Sequence, residues 1–272
     1  MAAVSSLYTY QGQKITDTDF FAALVSLGVE EGDTLFIHSD TKPFGRLAIS
    51  SGEELLAALV DVFERSVSER GIIIMPTFSY SFGADKDNVF DVAKTKSTVG
   101  SLTEYFRQLP GVVRTREPMM SVAVRGADIE KMVDIGNDTL GKRSVFDTLH
   151  KQGGKIVLFG TDFSACTFLH HVEEMHAVPY RFMKTLSGTI IDHGRSYEAA
   201  VQYYARPLDV PDEKDFNLIM PHLQKAGVLR DVHIGSGRIV LVSAEDLFAV
   251  TMKLLDSNPY ALLRRPPKYE ET

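Results

Sequence analysis

The side chains best able to do chemistry crowd into one stretch, TDFSACTFLHHVEEMHAVPYR, residues 161 to 181. If residues 167 to 176 form a helix, His170 and Glu173 share one face, and His171 and Glu174 share another. Three chemistries suit such a set. A histidine can take up and return a proton near neutral pH. Cys166, at a helix start with His170 four residues on, could act as an acyl-accepting nucleophile. The cluster HHVEEMH also has metal-binding residue types. Zinc, however, needs three or four converging ligands, and the known short zinc motifs space theirs differently. No metal is therefore expected. His38 closes a short apolar run and is a further candidate.

These side chains need a frame to position them. TLFIH (34–38), GIIIMPTF from Gly71 and KIVLFG (155–160) are short apolar runs that read as buried strands. Between the first two lies EELLAALVDVFER (53–65), an amphipathic helix long enough for a right-handed crossover, so the strands should be parallel. Ligands in such sheets sit beyond the carboxyl ends of the strands. His38-Ser39-Asp40, Thr77 to Ser81 and Thr161 to Glu173 should therefore converge on one cleft.

Thr16 to Asp19 cap a first helix, and Ser39 to Ser51 read as loop. Residues 79–98 are polar and irregular, a long loop of the kind that often carries function. Gly100 to Arg107 and 144–152 read as helices, and Ser121 to Val124 as a strand. In the last third, residues 185–205 form a hairpin turning at His193-Gly194, and 228–242 a second one around Gly235-Ser236-Gly237. Helices are expected over 213–226 and 243–256. The pattern predicts an α/β fold with a central, largely parallel sheet flanked by helices, and C-terminal β-hairpin additions. One domain should span residues 1–272, with 261–272 a mobile tail.

Composition bounds the function. The 272 residues are 44% apolar and 24% charged, an ordinary globular mixture. A formal net charge of −7 argues against nucleic-acid binding. The single cysteine permits no internal disulfide and fits a reducing compartment. No signal peptide or membrane-length apolar run is seen, so a cytoplasmic protein with no membrane partner is expected.

Five stretches in order resemble the aminoglycoside 3-N-acetyltransferase family. They are HSD (38–40), near the family's His-Ser-Ser; MPTFS (75–79); FDVAKTKSTVGSLTEYFRQLPGVVRT (90–115); Pro118 with Ser121; and Thr167 to Glu173, matching Thr-x-x-His-x-x-Glu. The resemblance covers roughly residues 16–260. The chain departs from the family pattern at Asp40, Lys96, Val99, Glu117 and Val145, and its 79–90 segment is short.

The resemblance implies an acetyl-CoA-dependent N-acetyltransferase acting on a primary amine of an amino sugar, outside the common GNAT fold. Its base would be His170, with Glu173 holding the second ring nitrogen or gripping the acceptor amine. Acetyl transfer would be direct. Coenzyme A would lie along Ser39, Thr98, Val99, Gly100, Ser121 and Ser144, next to His38. Backbone N–H groups near Ser39 and Asp40 would face the thioester oxygen. Arg107 and Arg114 are candidate phosphate partners. Asp91, Tyr80, Phe82 and Glu174 are candidates for the acceptor. Partners would be the amine and coenzyme A, with a homodimer allowed. Two other acceptor or reaction classes stay open. One is an amino sugar carried on a nucleotide for surface polysaccharide, toward which the short loop and the basic Lys96 and Arg116 lean. The other is a metal-dependent hydrolase.

Overall fold

The computed structural model describes residues 5–84, 87–207 and 213–265. In chain order the elements begin with β1 (Ser6–Tyr10), β2 (Gln13–Thr16), α1 (Asp17–Ser26), β3 (Thr34–Ser39), β4 (Arg46–Leu47), α2 (Gly52–Val67) and β5 (Ile72–Pro76). Next come α3 (Ser81–Ala84), β6 (Val89–Asp91), α4 (Ser101–Arg107), β7 (Val113–Arg114), β8 (Val122–Gly126), α5 (Glu130–Val133), α6 (Val145–Lys151) and β9 (Lys155–Phe159). The last are α7 (Phe168–His176), β10 (Phe182–Asp192), β11 (Arg195–Ala205), α8 (Met220–Ala226), β12 (Arg230–Ile234), β13 (Gly237–Ser243) and α9 (Ala244–Ser257).

Seven strands form the main sheet in the order β12-β13-β9-β3-β5-β8-β7. β9, β3 and β5 pair in parallel, as their apolar runs predict. The flanking pairs are antiparallel, so β12 and β7 again point with the central three and only β13 and β8 run against them. The sheet is thus parallel in the direction of most strands. The β12–β13 hairpin, expected as an addition, is its edge.

Alternation along β3 sorts the core. Leu35 and Ile37 face α1 and α2, packing with Phe20, Leu59, Phe63 and Phe159. Phe36 faces the other way, with Phe146, Phe168, Val172 and Leu247 from α6, α7 and α9. Each large side chain so enclosed contributes about 1.5–3 kcal/mol. His38 lies two residues beyond Phe36, on the same side, with the two rings 5.0 Å apart.

The helices start where their caps dictate. Thr16 and Asp19 form a reciprocal capping box on α1, and Ser51 caps α2. One glycine matters to the site. Gly160, just past β9, has φ +69, and a Cβ there would stand 2.1 Å from the Asp40 carbonyl oxygen. Only glycine lets the strand end lie against residues 38–40.

Several expectations are corrected. Residues 79–98 are not all loop: β6 pairs in parallel with β10, making a separate sheet of order β11-β10-β6. Residues before Thr16 form the hairpin β1–β2, turning at Gln11 and Gly12, and β4, in the stretch read as loop, pairs with β1. The helix expected over 213–226 is shorter, a 3-10 turn Phe216–Ile219 followed by α8. Residues 261–265 are held: Leu262 is fully buried, and Arg264 pairs with Asp215. Residues 266–272 of the expected tail lie outside the described residues. The β10–β11 turn at His193 and Gly194 matches expectation, with both φ values positive.

Candidate active site

α7 begins directly after the loop that leaves β9, so His170 sits in its first turn beside the carboxyl end of the sheet. The loop is shaped by a 3-10 turn, Phe163–Ala165, which the Asp162 side chain caps by accepting from Ser164 N. His170 Nδ1 lies 2.5 Å from Glu173 Oε2, one helical turn on. Nδ1–H therefore donates to the carboxylate, and Nε2 is left with its lone pair for whatever enters the cavities that the ring lines.

Glu173 is fully buried. Tyr180 OH donates to its Oε1 at 2.8 Å, and Arg181 Nε lies 2.8 Å from Oε2. Both oxygens are thus engaged from inside the protein. Glu173 holds the His170 ring and lines neither cavity at it. Burial pulls the Glu173 pKa up, but His170, Arg181 and Tyr180 outweigh it and hold the group below its usual value. Burial brings His170 down to about 4, with Glu173 opposing and the Arg181 and Lys214 cations assisting. At neutral pH the imidazole is neutral, the form that can accept a proton.

Two cavities meet at this ring. A narrow chamber of about 230 Å³ is lined by His38, Ser39, Val99, Cys166 and Thr167 on its far side. A wide cleft of about 1190 Å³ runs between the β10–β11 hairpin, the segment leading into the Phe216–Ile219 turn and the chain's last described residues. Tyr80, Ser164, His170 and Lys214 border both. Tyr80 has φ +54, a conformation that costs a side-chain-bearing residue energy and clusters at functional sites.

The expected residues divide. His38 accepts from Thr167 N through Nε2 at 3.4 Å, and burial lowers its pKa to about 3. It tethers the start of α7 to the end of β3. Ser39 and Val99 line the chamber. Gly100, the N-cap of α4 with φ +130, lies against the Ser39 carbonyl. Thr98 bonds Phe78 O through both its N–H and its hydroxyl. The Asp40 amide is spent on Phe159 O, so it cannot face an oxyanion. Its side chain accepts from Lys42 N.

Others stand elsewhere. Ser121 is buried, donates to Thr77 O and accepts from Arg114. Ser144 caps α6, accepting from Asp147 N and donating to Leu140 O. Neither borders the cavities at His170. Phe82 is a core residue beneath β10, whose Gly188 leaves room for its ring. Asp91 accepts from Ala93 N and Lys94 N and borders a different groove, on the far side of β6. Glu174 lies against Asp138 and Gly141, and burial together with the Asp138 charge pushes it up to about 8. Arg107 pairs with Glu104, and Arg114 is consumed by backbone and hydroxyl oxygens of residues 77, 92, 95 and 121. Arg116 pairs with Asp192 in the groove of Asp91, and Lys96 borders neither cavity at His170, so neither acts in the cleft.

The competing chemistries fare differently. Burial holds Cys166 up at about 12, a thiol rather than a nucleophilic thiolate. His171 turns away from His170, its Nδ1 donating to Leu140 O at 2.6 Å. Among the described residues no three His, Cys, Asp or Glu side chains converge as a metal set.

Comparison with known proteins decides the family. The family model for aminoglycoside 3-N-acetyltransferase matches residues 36–256. The chain belongs to the aminoglycoside 3-N-acetyltransferase family. Its members are acetyl-CoA-dependent acyltransferases. The aminoglycoside N(3)-acetyltransferase VII of Streptomyces paromomycinus is 27% identical over 86% of this chain and 88% of its own length. The type IX enzyme of Micromonospora chalcea is 24% identical over 93% and 97%. Among solved structures, the apoenzyme of aminoglycoside acetyltransferase AAC(3)-IVa has a TM-score of 0.76 at 22% identity, covering 92% of each chain. AAC-IIIb in a binary complex with CoASH also has 0.76 at 22% identity, covering 89% and 97%. These structures share the α/β fold.

Within this family frame, three residues around the His170–Glu173 pair went unseen in the sequence. Tyr180 and Arg181 come soon enough after the helix that carries Glu173 to fold back on it, which a reader of VPYR could infer. Lys214 is 44 positions from His170. Nothing local in the sequence announces it. Among the described residues no helix is long and apolar enough to cross a membrane.

Proposed function

We propose that this chain moves the acetyl group of acetyl-CoA directly onto a primary amine of an amino sugar, with His170 as general base and Glu173 as its positioning partner. One observation carries the reading. His170, held by Glu173, lines both a narrow chamber and a wide cleft, so each of two substrates has a cavity that reaches the ring. The chamber has room for the thioester end of a pantetheine arm, with Ser39 and Val99 along it. The wide cleft is left for the acceptor. The family's acetyl-CoA chemistry supports coenzyme A as one of the two substrates.

The coenzyme supplies the acetyl thioester. The acceptor enters as a free amine, and its nitrogen bonds to the acetyl carbon as the carbon–sulfur bond breaks. His170 Nε2 takes the proton that the nitrogen loses and returns it to the departing sulfur. The products are an amide and the free thiol. Glu173 holds the ring in the tautomer that exposes Nε2 and stabilises the cation formed in between. The neutral imidazole needs no prior deprotonation.

Thiol release from acetyl-CoA, measured across a panel of amines, tests the reading. His170→Ala should cut turnover by about 10²–10⁴ while coenzyme affinity stays within about tenfold. Full activity in that variant would remove His170 from the chemistry.

A further inference from the structure

Glu117 is a buried carboxylate that the acetyl-transfer steps leave unused, at a position where the chain departs from the family pattern. It lines neither cavity at His170. Its oxygens accept from Met119 N at 3.1 and 3.2 Å, from Met120 N, and from Thr139 Oγ1 at 2.9 Å. Three donors thus close the Pro118–Met120 turn around one charge. That turn belongs to both cavities, since Met119 lines the wide cleft and Met120 the narrow chamber. Its carbonyls hold the neighbouring segment: Ser79 N and Tyr80 N donate to Met119 O, and Ser81 N and Ser79 Oγ donate to Pro118 O. Tyr80 borders both cavities with a positive φ, a backbone that its surroundings must hold. Thr139 extends the tie to the hairpin wall, because its N–H donates to Gln202 O on β11.

We propose that Glu117 is a positioning residue for acetyl transfer: its ionised carboxylate fixes the Pro118–Met120 turn, and the turn sets Tyr80, Met119 and Met120 around His170. The inference rests on the acetyl-transfer reading and adds a residue to it. A neutral carboxyl in the same place would keep the shape and lose the charge that the two N–H groups and the hydroxyl answer, so the turn would be held less firmly. The titratable groups that face Glu117 are Tyr80, Tyr203 and Asp138. None of these is a cation, so the three donors alone answer the charge. Burial pushes Glu117 up to about 7, against the pull of Met120, Thr139 and Met119 and with the Asp138 charge adding to the rise. The carboxylate therefore changes charge near neutral pH, whereas the His170 ring, at about 4, does not.

The test follows the turn and the rate together. In protein labelled with carbon-13 at the methionine methyls, the Met119 and Met120 signals are assigned through Met119→Leu and Met120→Leu. They should move as the pH crosses about 7 and stand still in Glu117→Gln. The glutamine amide can accept from Met119 and Met120 and donate to Thr139, so it copies the neutral carboxyl. Thiol release from acetyl-CoA, with the amine of the panel that reacts fastest, gives kcat for both proteins at each pH. The ratio of the unaltered chain to Glu117→Gln cancels the ionisation of the amine. It should lie near one at about pH 5.5 and reach about fivefold or more at about pH 8.5. Thr139→Val removes one of the bonds that favour the charged form, so its methyl midpoint and the acid limb of its kcat should both rise by about half a pH unit. That variant carries the test if the glutamine protein does not fold. A ratio that stays flat with pH, methyls that do not titrate, or a Thr139→Val midpoint that does not rise overturns the proposal. Methyl titration with no thiol release from any amine places the failure in the acetyl-transfer reading. Thiol release with a flat ratio places it here.

Discussion

Replacing Glu173 by glutamine removes one negative charge from a site with no solvent access. Glu173 faces His170, Tyr180 and Arg181. Glutamine can still accept from His170 Nδ1, so the ring keeps its place. It cannot balance the Arg181 guanidinium, whose side chain is 5% exposed. Removing one member of a buried pair costs about 3–5 kcal/mol. Arg181 borders the wide cleft, so the lower figure applies, about 3 kcal/mol, or roughly 6 °C in Tm for a chain of this size. Turnover should fall by about 10²–10³ because the imidazolium formed during proton transfer loses its counter-charge. Thiol release gives the rate and denaturant melts give the stability. The decisive comparison is the double variant Glu173→Gln with Arg181→Met. Removing the stranded cation should recover about 2 kcal/mol of stability and none of the rate. If the two losses simply add, Arg181 and Glu173 are not a pair and the site is not built as described.

Three further outcomes are expected. Burial lowers His38 to about 3 and His170 and His171 to about 4, all from 6.5. The unfolded chain therefore binds more protons below pH 6.5, and each ring should weaken the fold by up to about 1.4 kcal/mol per pH unit down to its lowered value. Urea melts between pH 7.5 and 5 should show the loss, and a flat profile contradicts it. Ser144→Ala should cost about 1 kcal/mol as a lost helix cap with the KM for acetyl-CoA unmoved. A raised KM would return Ser144 to the coenzyme slot. Gly160→Ala should cost about 2–4 kcal/mol through its positive φ and its clash with the Asp40 carbonyl. A melt within about 1 °C of the parent would refute the close approach.

Much of this architecture was legible from residue order. TLFIH, GIIIMP and KIVLF are buried on both faces, so their unbroken apolar runs declare parallel strands. The His170–Glu173 contact comes from helical spacing alone. β6 was not legible, because three residues carry no period and the strand exists only through β10, far along the chain. The serines mark a second limit. A hydroxyl that caps a helix, as at Ser144, and one that meets a ligand look alike in sequence. Asp91 and Glu174 were plausible acceptor residues by charge, but Asp91 folds onto the turn just after it and Glu174 onto Asp138. Charge says that a group is polar, not which way its strand or helix turns it.

Arg181 steadies Glu173, and the next residue, Phe182, opens β10, the long strand that walls the wide cleft. The wall that touches an incoming molecule and the hand that holds the imidazole are therefore consecutive links of one chain. A guest that tilts the hairpin tugs on the guanidinium, and through it on the tautomer. Poorly matched guests should then be penalised in how fast they react as much as in how well they stick, so that selectivity would be read chiefly in kcat.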